Sequence, residues 1–144
     1  AHLAFLHVRM DAQEALTAMA SADMGGGLGY GQLLKALEQE VAARQKKAEL
    51  AFRDFCEREK LPVTADPHAA LPSAEWRCET GDESLWLARH ARTADLLVMG
   101  RASEGEATAF DMLETGLMTT GRPILPISKC MLLTVEAATV AWFD

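Results

Sequence analysis

The chain predicts an α/β fold, a mostly parallel, doubly wound sheet covered by helices in a three-layer α/β/α arrangement. Three observations carry that expectation. Leu96-Leu97-Val98-Met99 is an apolar run without polar alternation, opened by the turn Thr93-Ala94-Asp95 and closed by Gly100, the pattern of a strand buried on both faces. Leu3-Ala4-Phe5-Leu6-His7-Val8 is a second short, β-rich run. Between and after them, strand-like pieces alternate with amphipathic helical stretches, which implies parallel strands joined by right-handed crossovers. At 144 residues the chain fits one domain with a core large enough to need no metal or disulfide staple.

In chain order, Leu3–Val8 is the first strand, and His7 near its end is read as a structural histidine, since no carboxylate or nucleophile accompanies it by motif. Gln13–Met19 is a short helix. The glycine-rich Gly25–Gly31 segment is read as a surface loop. It lacks the Gly-Lys-Ser/Thr of a phosphate loop, and no register of its glycines gives Gly-x-Gly-x-x-Gly. Gln32–Glu59 is a long helix with a stripe of Leu33, Leu34, Leu37 and Val41, continued with a phase drift by Ala48, Ala51, Phe52, Phe55 and Cys56. Glu40 with Arg44 and Glu49 with Arg53 have the favourable i to i+4 order. Such a helix spans roughly 42 Å, so one end overhangs the sheet or bends. Lys60-Leu61-Pro62 ends it, and the proline-rich Val63–Pro72 is a loop.

Ala74–Glu79 alternates apolar and charged residues, as a half-exposed strand near a sheet edge does. Asp82 after Thr80-Gly81 is an N-cap for a helix over Glu83–Arg92 that turns Leu85, Trp86 and Ala88 inward, with Leu87 beside them. The buried Leu96–Met99 strand follows. Glu106–Thr119 is a helix with Phe110, Leu113 and Leu117 on its apolar face, ended by Gly121 and Pro123. Ile124–Ile127 is an edge strand, because Pro126 has no N–H to give a ladder. Thr139–Asp144 is one more apolar segment.

Net charge of −7 argues against non-specific binding to nucleic acid or to an anionic membrane surface. Cys56, Cys78 and Cys130 form no CxxC pair, and the four histidines show no metal-ligand spacing, so neither a disulfide framework nor a metal site is expected. A reducing, cytoplasmic setting fits these cysteines. No run of about 18 apolar residues suggests a membrane span. Gly-x-Ser-x-Gly, Cys–His and paired-carboxylate signatures are missing, so no catalytic residues are assigned and an enzyme is not expected.

The order of these pieces resembles the universal stress protein family: Leu6-His7-Val8 ending a strand, a long amphipathic helix, Glu79-Thr80-Gly81-Asp82, Ala94-Asp95-Leu96-Leu97-Val98-Met99-Gly100, and Gly121-Arg122-Pro123-Ile124-Leu125. The likeness covers about residues 1–127, and the Ala94–Gly100 segment is its strongest part. It implies an adenine-nucleotide alpha-hydrolase-like fold and an adenine-nucleotide crevice, with Val8, Gly100, Arg101, Gly105 and Gly116 as the candidate cofactor-binding positions. ATP-binding members follow the strand with Gly-x-x-Gly, nine residues, then Gly-Ser or Gly-Thr. Here Ser103 stands at the second glycine position, ten residues separate Gly105 from Gly116, and Leu117 replaces the hydroxyl residue. Glu104 and Glu106 add negative charge where a triphosphate would lie. The resemblance is therefore to a branch with a degenerate ATP motif, often arranged as tandem domains.

That resemblance implies a stress-response domain working by association, as a homodimer through the Ile124–Ile127 edge, with no bound cofactor. The alternative is an ATP sensor or slow ATPase. The family's opening strand–helix unit has no counterpart before Leu3. Val140–Asp144 resembles that opening strand, so it is expected either to fill the vacant central position of the sheet or to begin a following repeat.

Overall fold

The computed structural model describes residues 1–22, 29–69, 72–100, 107–127 and 138–141. It is a mixed α/β structure with parallel strands. In chain order the elements are β1 (His2–Arg9), α1 (Ala12–Ala22), α2 (Tyr30–Arg58), β2 (Ser73–Thr80), α3 (Glu83–Ala91), β3 (Leu96–Gly100), α4 (Ala107–Thr120), β4 (Ile124–Ile127) and β5 (Ala138–Ala141). The strands lie in the order β2-β1-β5-β3-β4. The glycine-rich segment, apart from Gly29 to Gly31, and the β3–α4 connection lie outside the described residues.

Local chemistry explains where the helices begin and end. Asp11 accepts from the backbone N–H groups of Gln13 and Glu14 at 2.9 and 3.1 Å and starts α1. Asp82 does the same for α3 through Leu85 N–H at 3.0 Å. Gly121 follows α4 with φ of +65°, the left-handed position that a glycine after a helix adopts without a Cβ penalty. Helix α2 carries both foreseen ion pairs, Arg44 to Glu40 at 2.8 Å and Arg53 to Glu49 at 2.6 Å. Its buried residues, Val41, Ala48, Phe52 and Cys56, belong to its C-terminal two thirds. Helix α2 also packs on α1, whose Leu16 is only 2% exposed.

Strand register separates the two faces of the sheet. Ala4, Thr139 and Leu97 share one row, and Phe5, Val140 and Val98 the next. Paired residues in neighbouring strands point the same way, and successive residues point oppositely. The row with Phe5 and Trp76 packs against Phe52 and Phe55 of α2; the Phe5 ring lies 5.0 Å from Phe52 and 5.3 Å from Phe55. The row with Leu97 and Met99 packs against Leu87 and Ala91 of α3 and Met112 of α4. Leu87, Ala91 and Leu97 are fully buried. Each leucine of this kind contributes about 1.5–3 kcal/mol by leaving water.

Two helix faces differ from the sequence expectation. In α3, Leu85 is 65% exposed and Trp86 and Ala88 are half-buried, whereas Leu87, expected beside them, and Ala91 are the fully buried residues. In α4, Leu117 is 58% exposed and the inward stripe is Met112, Gly116 and Thr120, with Leu113 at its border. Gly116 explains the second difference. A Cβ there would come within 2.9 Å of Ile124 Cδ1 and 3.3 Å of Leu97 Cδ2, so the missing side chain lets α4 lie close on β3 and β4. Apolarity alone selects Leu117; close approach selects Gly116. The Phe110 side chain lies outside the described residues.

Both edges are as expected. In β4, Pro126 pairs in register with Met99, and β2 holds the opposite edge. There Pro62 and Thr64 cover part of β2, with Ala74 donating to Pro62 O at 2.9 Å and accepting from Thr64 N–H at 2.8 Å. The charged face of β2 is not a solvent face, however. Glu75, Arg77 and Glu79 are half-buried beside α3, whereas the apolar Cys78 of the alternate face is exposed.

Leu87→Ala is expected to cost about 2–5 kcal/mol, as for a fully buried leucine. Gly116→Ala gains up to about 1 kcal/mol of helix propensity but presses on the side-chain ends of Ile124 and the fully buried Leu97, so the two effects offset and it stays near neutral. Gly116→Leu overpacks the same gap and costs about 1–3 kcal/mol. Urea unfolding followed by circular dichroism checks all three; a Gly116→Leu variant as stable as the parent would contradict the close approach.

Candidate functional site

The carboxyl ends of the parallel strands define the first candidate site, since open α/β sheets hold ligands there. Ala141 of β5 pairs with Leu6 on one side and Met99 on the other. Val8 and Gly100 therefore flank the end of β5, two residues beyond Leu6 and one beyond Met99. Val8 is buried and Gly100 exposed. The structure places these two candidates at the same end of the sheet, with β5 between their strands. Gly116 is elsewhere, midway along α4 against Leu97, Met99 and Ile124. Arg101 and Gly105 lie outside the described residues.

Beside Val8, a polar cleft of about 310 Å³ opens at the ends of β1 and β2, between Arg9, Asp11, Thr80 and the α2 residues Glu38 and Val41. Arg9 is held in place there, donating to Thr80 Oγ1 at 3.1 Å and to Gln45 Oε1 at 3.3 Å. A positioned guanidinium can take one anionic group. Asp11 and Glu38 on the same walls oppose a polyanion. Sequence reading passed over Arg9 because a single arginine after a strand has no motif; Thr80 and Gln45, distant in sequence, give it its orientation.

A second polar cluster joins β1, β2 and α3. His2 Nε2 meets Glu75 Oε2 at 3.3 Å, and His2 Nδ1 meets Ser73 Oγ at 2.9 Å. Arg77 donates to the same Glu75 oxygen at 2.7 Å. It also reaches His90 Nδ1 at 3.1 Å, and His90 Nε2 meets Glu79 Oε1 at 3.1 Å. Ser73, His2 and Glu75 are the residue types of a hydrolytic triad, but Ser73 is fully buried and no substrate carbonyl can approach its oxygen. Its partnerships instead satisfy a polar group that burial would otherwise penalise. The sequence signal for this cluster is the acidic–basic–acidic alternation Glu75, Arg77, Glu79, which by local rules alone fits the exposed side of a half-exposed strand. Among the described residues no three His, Cys, Asp or Glu side chains are placed to hold a metal.

Charge environments follow from these contacts. Burial pushes the Glu75 carboxyl up, but hydrogen bonds from Arg77 and His2, with their charges, outweigh it and hold the group below the usual carboxylate range. The Arg77 guanidinium is raised by its hydrogen bond to Glu75, against the effect of burial. Glu83, in the first turn of α3, is raised by burial and by the neighbouring Asp82 charge, with Arg44 opposing.

No family model matches this chain, and no curated protein or solved structure is significantly similar to it. Among the described residues no helix is long and apolar enough to cross a membrane.

Glu75 and Glu83 are expected to respond oppositely to pH. A carboxyl depressed by folding stabilises above its ordinary range and loses that contribution as pH falls through the folded value. Glu75→Gln should therefore lower the melting temperature at pH 7, with the difference shrinking as pH falls below about 4. A carboxyl raised by folding stabilises only below its ordinary range and loses that as pH rises through the folded value. Glu83→Gln should therefore raise the melting temperature at pH 7 and change little in acid. Calorimetry across pH 3 to 7 checks both; the same sign for both variants at pH 7 would contradict this assignment.

Proposed function

We propose that this chain is a universal-stress-protein-like domain, cytoplasmic, that serves a stress response by association of chains rather than by catalysis. The observation that carries the reading is the strand order. With β5 counted as the first strand, β2-β1-β5-β3-β4 becomes 3-2-1-4-5, the order of doubly wound sheets that bind nucleotides where the order reverses. On this reading the sheet is the middle layer of a three-layer α/β/α domain, and Ala138–Ala141 takes the position of the family's opening strand.

Association is assigned to the Ile124–Ile127 edge as a homodimer seam. Leu97 N–H donates to Pro123 O at 3.0 Å. In a parallel ladder that turns the polar groups of Leu125 and Ile127 toward β3 and those of Ile124 and Pro126 outward. The outward side of β4 then offers Ile124 N–H and the carbonyls of Ile124 and Pro126, a short surface for strand pairing. Pro126 withholds one donor, which keeps the seam weak and reversible. Pro126→Val is expected to restore that donor and to shift the monomer–dimer equilibrium toward dimer by roughly five- to tenfold, about one hydrogen bond's worth. Sedimentation velocity over a concentration series checks this. A strict monomer for both parent and variant would remove the association reading.

The Arg9 cleft at the carboxyl ends of β1 and β2, next to Val8 and at the same end of the sheet as Gly100, favours a second reading, an adenine-nucleotide sensor or slow ATPase. The acidic walls and the ill-spaced glycines weigh against tight triphosphate binding, so calorimetric titration with ATP and magnesium is expected to stay flat to millimolar concentrations. Saturable heat that Arg9→Ala abolishes would establish the sensor reading instead.

A further inference from the structure

His90 stands between two groups that make opposite demands on it. Its Nδ1 faces Arg77 Nη1 at 3.1 Å, and its Nε2 faces Glu79 Oε1 at 3.1 Å. A guanidinium nitrogen only donates. Nδ1 must therefore accept, which fixes the ring as the neutral tautomer with its hydrogen on Nε2, donating to Glu79. The side chain is 17% exposed and stacks on Trp86 with ring centres 5.8 Å apart. Arg77 has a second, shorter partner ready, Glu75 at 2.7 Å.

We propose that His90 is a proton-operated clasp between α3 and the edge strand β2. In the neutral ring it is latched to Arg77 and Glu79 together. A proton on Nδ1 turns the acceptor into a donor and sets two N–H groups against each other. Arg77 then leaves for Glu75 alone, while Glu79 keeps His90 through a charge-assisted bond. The change needs only a proton from solvent, and it converts a two-point latch of α3 on β2 into a one-point latch. Because α3 covers the sheet through Leu87 and Ala91, loosening its polar border when His90 takes up a proton makes this side of the domain responsive to acidification.

The groups facing His90 are few. From β2 they are Arg77 and Glu79, with Glu75 behind Arg77. From α3 itself Arg89 lies over the Trp86 ring at 5.2 Å. From β1, His2 joins through Glu75. Among the described residues α4 reaches α3 with polar contacts from Met112 to Ser84 and from the Thr119 carbonyl to Arg92, and neither acceptor carries a titratable proton.

Nuclear magnetic resonance of the whole chain, labelled with ¹³C and ¹⁵N, tests the clasp. Above the His90 midpoint the ring should show the Nε2–H tautomer, and amide exchange in Leu87–Ala91 should be slow. Below it, exchange in that segment should quicken at least severalfold. Arg77→Met removes the donor that faces Nδ1 and opposes the proton, so His90 should take up its proton at higher pH than in the parent. His90→Gln offers a permanent acceptor and a permanent donor at the same places, so α3 exchange should lose this pH response. Arg77→Gln repeats the midpoint test should the methionine variant not fold. A midpoint that stays or falls when Arg77 is replaced, or an α3 response that survives His90→Gln, overturns the proposal.

Discussion

Two buried strands, β1 and β3, each need a neighbour on the side that faces the middle of the sheet. The four residues Ala138–Ala141 supply it for both at once, pairing with Ala4–Leu6 on one side and Leu96–Met99 on the other. Unpaired backbone groups in so apolar a setting would cost roughly 1–3 kcal/mol each. The rest of the architecture depends on this short strand. It sets β1 and β3 one strand apart, joins the two core clusters through one sheet, and brings Val8 and Gly100 to the same end.

The two faces are then stabilised by different means. On the α2 side, Phe5, Phe52, Phe55 and Trp76 form an aromatic cluster with edge and tilted contacts. On the other side aliphatic residues and methionines fill the space under α3 and α4, and Gly116 lets α4 approach. The C-terminal ends of those helices are tied by arginines. Arg122 donates twice to the Arg92 carbonyl, at 3.1 and 2.7 Å, and Arg92 donates to the Thr119 carbonyl at 3.3 Å. These bonds satisfy carbonyls that helix ends leave open.

Polar chemistry collects where the apolar layers run out. At the strand ends Arg9 is fixed but flanked by carboxylates, which suits a single anionic group better than a chain of phosphates. Along β2 a line of alternating partners runs from Ser73 to Glu79, and each buried member has a hydrogen bond. The proposed stress-protein role and the His90 clasp rest on different parts of the fold. One depends on strand order and the β4 edge, the other on the donor–acceptor logic of a single imidazole.

Local rules in the sequence determined the pieces: the buried runs, the long α2 with its ion pairs, the Asp82 cap, the Gly121 stop and the edge character that Pro126 imposes. Each follows from a period of two or 3.6 residues or from the chemistry of one backbone position, so neighbours in sequence suffice. Only the tertiary structure decided which face of α3 and α4 turned inward, because Leu85 and Leu117 are as apolar as Leu87 and Leu113 and the choice depends on how closely the sheet can be approached. It also decided that Glu75, Arg77 and Glu79 would be half-buried, since their partners His2 and His90 arrive from other elements, and that Gly116 would lie in a packing contact rather than at the strand ends. Charge and close approach act through space, and sequence distance carries no record of them.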